Sequence, residues 1–397
     1  MRVFPLRSAL SPEERQLRHR LILWDTLALS SLFAIAVVLF FITLALFHSF
    51  SVHRENLKLR WLARGELALD AGQPQVALND LRSALAYDTD DKQIQIKLAQ
   101  ALAAAGHTQE AVAYFNTLLE SLPGNGPIHL ELARLAAKQG QQEVAIEHYQ
   151  AALDGTWQGD GYVRRREVRL ELAQYLISQQ RDEQARTQLL IAAGNAPDDA
   201  GIEIAIAGML ESAHDAANAL ELYRKALRHR PVQLAAIAGA GRAAYELGRF
   251  QAAKQFLERA MNHAGFEKLP AEKQASYRNM LADADHILLL YPDANLPVRV
   301  RAMRVLGNRK IAQERLAGCL STQPAVPRPL QDLASQWKQL PQAIQVAQLE
   351  RDPQLEQTLM QLVYQTEIVT AQQCGAPTGN DALLLKIAQN PEAVEQE

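Results

Sequence analysis

The stretch "WLARGELALDAGQPQVAL" (Trp61–Leu78) decides the fold. Gly65, Ala68, Gly72 and Ala77 punctuate it, with larger apolar residues between them. Glycine and alanine bury little apolar area, so their regularity points to close helix approach rather than core volume. Outward from this stretch the pattern returns every 34 residues. Units begin at Lys58, Lys92, Gly126, Arg166, Ala200 and Leu234, with six extra residues before the fourth. The eighth position is small in all six: Gly65, Ala99, Ala133, Ala173, Ala207 and Gly241. The twentieth is always alanine: Ala77, Ala111, Ala145, Ala185, Ala219 and Ala253. The twenty-seventh is alanine except at Leu118, and the twenty-fourth is always large (Leu81, Phe115, Tyr149, Leu189, Tyr223, Leu257). A fixed period of this length marks a repeat architecture.

These residues resemble the tetratricopeptide repeat (TPR) family, and Trp61 at the fourth position adds to the likeness. The anchor-plus-repeat arrangement described below resembles a single-pass, membrane-anchored bacterial member. The resemblance implies an all-α fold: paired antiparallel helices stacked into an α-solenoid, a right-handed superhelix with a concave groove. The residues agree with it. Each unit holds two helical stretches, and Gly72, Gly106, Gly140 and Gly248 stand where the first must end. Glycine accepts the positive φ of such a turn. One helix pair cannot bury its apolar face alone, so neighbours must stack.

The family's usual binding surface is the groove, lined by positions 2, 5, 9, 12 and 13 of each first helix. Here these include Leu62, Glu66, Ile96, Gln100, Leu130, Arg134, Lys138, Gln174, Ile177, Arg242 and Tyr245. Some members clamp a terminal carboxylate with asparagine at position nine. Here that position holds Glu66, Gln100, Arg134, Gln174, Gly208 and Arg242, which argues against such a clamp. An extended peptide or a helix remains the expected occupant.

Before the repeats, Thr26–Phe47 is an uncharged run of 22 residues. As a helix it spans roughly 33 Å, about a bilayer's hydrocarbon thickness. It exceeds a signal peptide's apolar core, and no small-x-small cleavage site follows it, so the reading is an uncleaved anchor. Arg15, Arg18 and Arg20 flank its start, whereas only Arg54 lies near its end. The positive-inside tendency then keeps the N-terminus cytoplasmic and exports the repeats, the topology expected of a single-pass protein in a bacterial inner membrane.

The expected division is a basic tail (1–20), a transmembrane anchor (21–50), six TPR repeats (58–267), a long helix with a degenerate seventh repeat (268–326), and a proline-rich linker with a C-terminal helical segment (327–397). The seventh unit is read at Asp293–Val326, with Gly307 at the turn and Cys319 at the small twenty-seventh position.

Composition narrows the function classes. A formal charge of −3 gives no basic field for nucleic acid. The histidines form no i, i+4 pair for zinc, and no metal or cofactor is expected. No GxxxxGK[ST] or GxSxG motif occurs, so no catalytic residue is assigned and the chain is read as a non-enzyme. Cys319 and Cys374 are the only cysteines. They are a candidate disulfide if the domain is exported, or two unpaired buried thiols otherwise. The insertion "GTWQGDGYVRRR" (Gly155–Arg166) offers Trp157, Tyr162, Arg164, Arg165 and Arg166 as a candidate partner loop, because aromatics and arginine are enriched at interface hot spots. The alternative is a tryptophan closing a helix pair beside a solvated helix start.

The resulting expectation is a membrane-anchored scaffold that binds a protein or peptide partner in its groove, in a bacterial cell-envelope complex. The rivals are a cytoplasm-facing anchored regulator of envelope biogenesis, and a small-ligand or enzymatic module in the C-terminal segment.

Overall fold

The computed structural model describes residues 12–390. Among them are eighteen α-helices and no strand. Of the expected basic tail, residues 1–11, with Arg2 and Arg7, lie outside the described residues; residues 12–20 are the first turns of α1. The chain divides into two compact units, Met1–Gln158 and Gly159–Glu397. Each is a stretch of α-solenoid.

In the first unit α1 is one unbroken helix, Pro12–Asp70. Proline suits a helix start, and neither glycine nor proline recurs until Gly65. Thr26, Ser30, Ser31 and Thr43 donate their hydroxyls to carbonyls three or four residues back, so the apolar run leaves no side-chain polar group unsatisfied there. The run is exposed along its length. The last turns of α1 are the first helix of the first repeat, which pairs with α2 (Pro74–Leu85). α3 (Lys92–Ala104) then pairs with α4 (Thr108–Ser121), and α5 (Gly126–Lys138) with α6 (Gln142–Asp154).

The second unit continues with α7 (Gly161–Ser178) on α8 (Asp182–Gly194), α9 (Ala200–Ser212) on α10 (Ala216–His229), and α11 (Leu234–Glu246) on α12 (Phe250–Met261). α13 (Ala271–Leu290) and α14 (Val298–Thr322) follow. Four more helices close the unit: α15 (Arg328–Gln339), α16 (Val346–Leu349), α17 (Pro353–Cys374) and α18 (Asn380–Gln389).

The small positions are where helices meet. Every alanine at the twentieth position is fully buried, and so is every alanine at the eighth. A Cβ on Gly65 would lie 2.6 Å from Leu81 Cγ, and one on Gly241 would lie 2.9 Å from Leu257 Cγ. The large twenty-fourth residue thus occupies the space the small eighth residue leaves, within one pair.

The turns repeat as faithfully. Gly72, Gly106, Gly140 and Gly248 all have positive φ, and at the same fifteenth position so do Gln180 (φ 59°) and His214 (φ 56°). The following amide reaches back to close each helix, as in Gln73 N–H to Ala68 O (2.8 Å) and Arg181 N–H to Leu176 O (2.9 Å). At the next boundary Asp91, Asn125 and Asp199 cap the following helix by accepting from its first amides.

The expected seventh repeat does not form. α14 runs straight through Gly307, which is exposed and keeps an ordinary helical φ. Good helix formers on both sides outweigh the roughly 1 kcal/mol penalty of one glycine. α14 instead packs along α17 in a C-terminal core containing Ala302, Val305, Leu316, Leu359, Val363 and Leu384. Trp337 donates its indole N–H to Thr366 Oγ1 (2.9 Å) within that core. Cys319 and Cys374 form a disulfide between α14 and the end of α17, with Cα atoms 5.7 Å apart. The proline-rich stretch is short, since α15 begins at Arg328 with Pro329 in its first turn.

Candidate functional site

In the first unit, the inner face of the first helices forms a shallow cleft of about 450 Å³. Glu66 and Asp70 from α1, Lys97 and Gln100 from α3, and Glu131 from α5 surround Leu69 and Ala104. Position nine of successive repeats thus converges, because residues 34 apart stand at the same height on neighbouring first helices. Lys97 Nζ bridges to Glu66 Oε1 at 3.4 Å. Gln100 donates to Glu131 Oε1 (3.1 Å), which Arg134 also approaches at 3.3 Å. Leu62, Ile96 and Leu130 are half-buried beside the cleft, and Lys138 is exposed in the last turn of α5. The cleft offers amide and carboxylate acceptors above an apolar floor. Such a lining suits hydrogen bonding to a peptide backbone and its polar side chains. A second shallow cleft, with Gln109, Asn116, Gln139 and Gln141, carries amides that the position rule did not select.

The equivalent residues of the second unit are held by their own chain. Arg242 pairs with Glu211 through Nη2 (2.6 Å) and Nε (3.2 Å), and donates to Tyr277 Oη (2.9 Å). Burial works against its charge, but the Glu211 hydrogen bond and charge more than offset this and raise its pKa. Tyr223 donates to the same carboxylate at 2.7 Å, and burial pushes its phenol up. Tyr245 donates to Asp283 (2.7 Å), while Lys386 of α18 hydrogen-bonds the Tyr245 hydroxyl and lies 3.2 Å from Asp283. Here α18 covers part of the surface the position rule assigns to a partner. Gln174 is exposed and Ile177 half-buried on α7.

The 155–166 insertion splits into two roles. Thr156 exchanges backbone hydrogen bonds with Gly124 and Gly126, and Trp157 donates to Ala152 O at 2.8 Å, closing the α5–α6 pair. Tyr162 is 86% exposed at the start of α7, and Arg164 pairs with Glu167 at 3.0 Å. Arg165 and Arg166 follow on the same helix; the backbone amides of Ile202 and Gly201 hold Asp199 below the usual carboxylate range, with smaller help from the Arg230 and Arg166 charges.

Three groupings escaped the sequence because folding alone brings them together. His129 and His148 place their Nδ1 atoms 3.2 Å apart, and burial followed by His129 lowers the pKa of His148. Asp198, Glu203 and His229 gather ligand-type atoms within 4.8 Å, but Lys225 already supplies the cation, at 3.1 Å from Asp198 and 2.9 Å from Glu203. Glu367 is fully buried in α17, and burial, then the Asp381 charge, pushes its pKa up to about 8 against the pull of Arg315.

Comparison with known proteins matches the same residues. Two family profiles, both described as tetratricopeptide repeat, match the chain: one over residues 62–127, 96–161 and 130–200, the other over 210–276. No curated protein matches in sequence. Among solved structures, pilF of Pseudomonas aeruginosa is similar at 15% identity and TM-score 0.40, covering 57% of this chain and 99% of its own. The C-terminal part of a TPR repeat-containing protein from Cytophaga hutchinsonii is similar at 14% identity and TM-score 0.43, covering 62% of this chain and 92% of its own. With its 34-residue period, its buried small positions and the matched segments, the chain belongs to the tetratricopeptide repeat family.

Proposed function

We propose that the chain is a membrane-anchored interaction scaffold in a bacterial cell-envelope complex. It holds an extended segment of a protein partner against the first helices of its early repeats, around Glu66, Gln100 and Arg134. The proposed division is an anchor at 21–50, repeats at 58–267 and a C-terminal helical module beyond them. No chemistry is part of the proposal.

The observation that carries it is α1. An exposed apolar run, which water would not tolerate uncovered, continues without a break into the helix that begins the repeats. Such a helix fixes the first repeat at a set distance from whatever surface covers the run. From Phe47 to Lys58 that distance is roughly 17 Å at 1.5 Å per residue. The placement of Cys319 against Cys374 supports an exported repeat region, because disulfides persist in oxidising compartments. The arginines before the run favour the same orientation.

Protease added to intact spheroplasts tests the topology. Exported repeats are cut while the N-terminal segment stays protected. Repeats that resist until the cells are lysed refute export and favour a cytoplasm-facing scaffold.

A further inference from the structure

α1 leaves one side uncovered well beyond its apolar run. In the first repeat its inner side, with Lys58, Gly65 and Ala68, packs within the unit. The opposite side carries Val52, Leu59 and Leu67, which are 46%, 51% and 68% exposed. Apolar residues there are unexpected, because the outer face of a terminal repeat is ordinarily polar.

Val52 and Leu59 belong to a longer pattern, which ends at Ala63 because its next step is Glu66 of the cleft, and Leu67 stands outside it. Outside the run, Val52, Asn56, Leu59 and Ala63 follow one another at steps of four, three and four. Upstream, Val38, Ile42 and Ala45 inside it, and Ser49 just after it, continue the same steps. Alternating steps of three and four average 3.5 residues, the period of a left-handed coiled-coil seam. Small and β-branched residues within the run suit close packing of two membrane helices. Asn56 takes a core position where a single asparagine sets register and favours two strands.

Charge supplies an independent argument. In a parallel pair, a residue flanking the seam on one helix faces the residue five positions later on the other. Glu55 and Arg60 hold those two positions. Among the described residues Glu55 pairs with Lys58 on its own helix (2.9 Å) and stays largely exposed. Arg60 is exposed and has no ion-pair partner among the described residues. Each helix therefore carries both halves of a cross-helix ion pair.

We propose that α1 pairs in parallel with α1 of a second copy of this chain, along the seam from Val38 to Ala63. The parallel orientation rests on the membrane anchoring proposed above, which inserts both copies the same way. Pairing places two sets of repeats side by side with their first helices in register.

The test uses the full chain in its native membranes. Val52→Cys and Leu59→Cys are made singly, oxidised with copper phenanthroline and run without reductant. Both are expected to shift largely to a disulfide-linked dimer, whereas Ser51→Cys and Arg64→Cys, exposed but off the seam, give about ten-fold less. On the Leu59→Cys background, Glu55→Arg or Arg60→Glu lowers the yield, and the two together restore it. Seam cysteines that stay monomeric in carbonate-resistant protein overturn the pairing and leave the anchor standing. Protein that carbonate releases removes the anchor, and without a cross-link it overturns the pairing too. Equal linking on and off the seam, or no restoration by the double charge swap, also overturns it.

Discussion

Alanine in place of glycine should change sign with position in this chain. In a helix interior, alanine is favoured over glycine by about 1 kcal/mol. At Gly65 the new Cβ would lie 2.6 Å from Leu81 Cγ and 2.8 Å from its Cδ2. Leu81 is fully buried and has nowhere to retreat. Overpacking of that kind costs about 1–3 kcal/mol, so Gly65→Ala should be a net loss of about 1 kcal/mol. Gly241→Ala, facing buried Leu257 at 2.9 Å, should behave alike. At Gly307 and Gly318 no neighbouring atom lies within 4 Å of the added Cβ. Both sit inside α14, so alanine there should stabilise by about 0.5–1 kcal/mol. A stack of repeats need not melt as one unit, so the assay is hydrogen exchange resolved by helix, with thermal unfolding by circular dichroism beside it. Gly65→Ala should reduce protection in α2, and Gly307→Ala should raise it in α14. If Gly65→Ala leaves α2 as protected as before, small residues are not what sets helix approach.

Other expectations follow from particular sites. Gln180 and His214 pay for a left-handed conformation that their four glycine counterparts adopt freely, so Gln180→Gly and His214→Gly should each stabilise by about 0.5–1 kcal/mol, read as a raised unfolding midpoint. Replacing both Cys319 and Cys374 by serine opens a loop with a sequence separation of 55 and should weaken the C-terminal module by up to about 4 kcal/mol, seen as faster exchange in α17 and α18 but not in α3. Glu367 is kept neutral in the folded chain, its pKa pushed up from 4.5 to about 8. Its stabilising contribution is therefore complete below pH 4.5 and falls as pH rises towards 8, by up to about 1.4 kcal/mol per unit. Glu367→Gln should flatten that decline in a pH series of α17 exchange, and an unchanged slope would contradict the assignment.

What the sequence made legible was whatever recurs. Ala77 and its five counterparts are each fully buried at the same place within their own helix pair, so a single packing rule imposes them and the period exposes it. The capping residues Asp91, Asn125 and Asp199 were equally periodic, at the thirty-fourth position, and could have been read with the rest. Gln180 and His214 were hidden because a left-handed turn with a side chain has no residue signature. Gly307 misled because a lone glycine marks a turn only where the flanking residues do not continue the helix. The groove rule placed Glu66 and Gln100 at a cleft, yet it gave no warning that Glu211 holds Arg242 or that Lys386, 141 residues downstream, reaches Tyr245. Those contacts depend on how late helices fold back within the second unit, which no local pattern encodes.

The early repeats are proposed to hold a protein segment against their first helices. Site-specific photo-crosslinking in living cells tests it most directly, with the reactive residue placed at Glu66, Gln100 or Arg134, or on the second helices at Thr117 or Gln150. One discrete adduct is expected from the three first-helix positions, of the same mass in each case, and none from the two controls. Adducts of equal yield from both faces, or no adduct from the first helices, would contradict it.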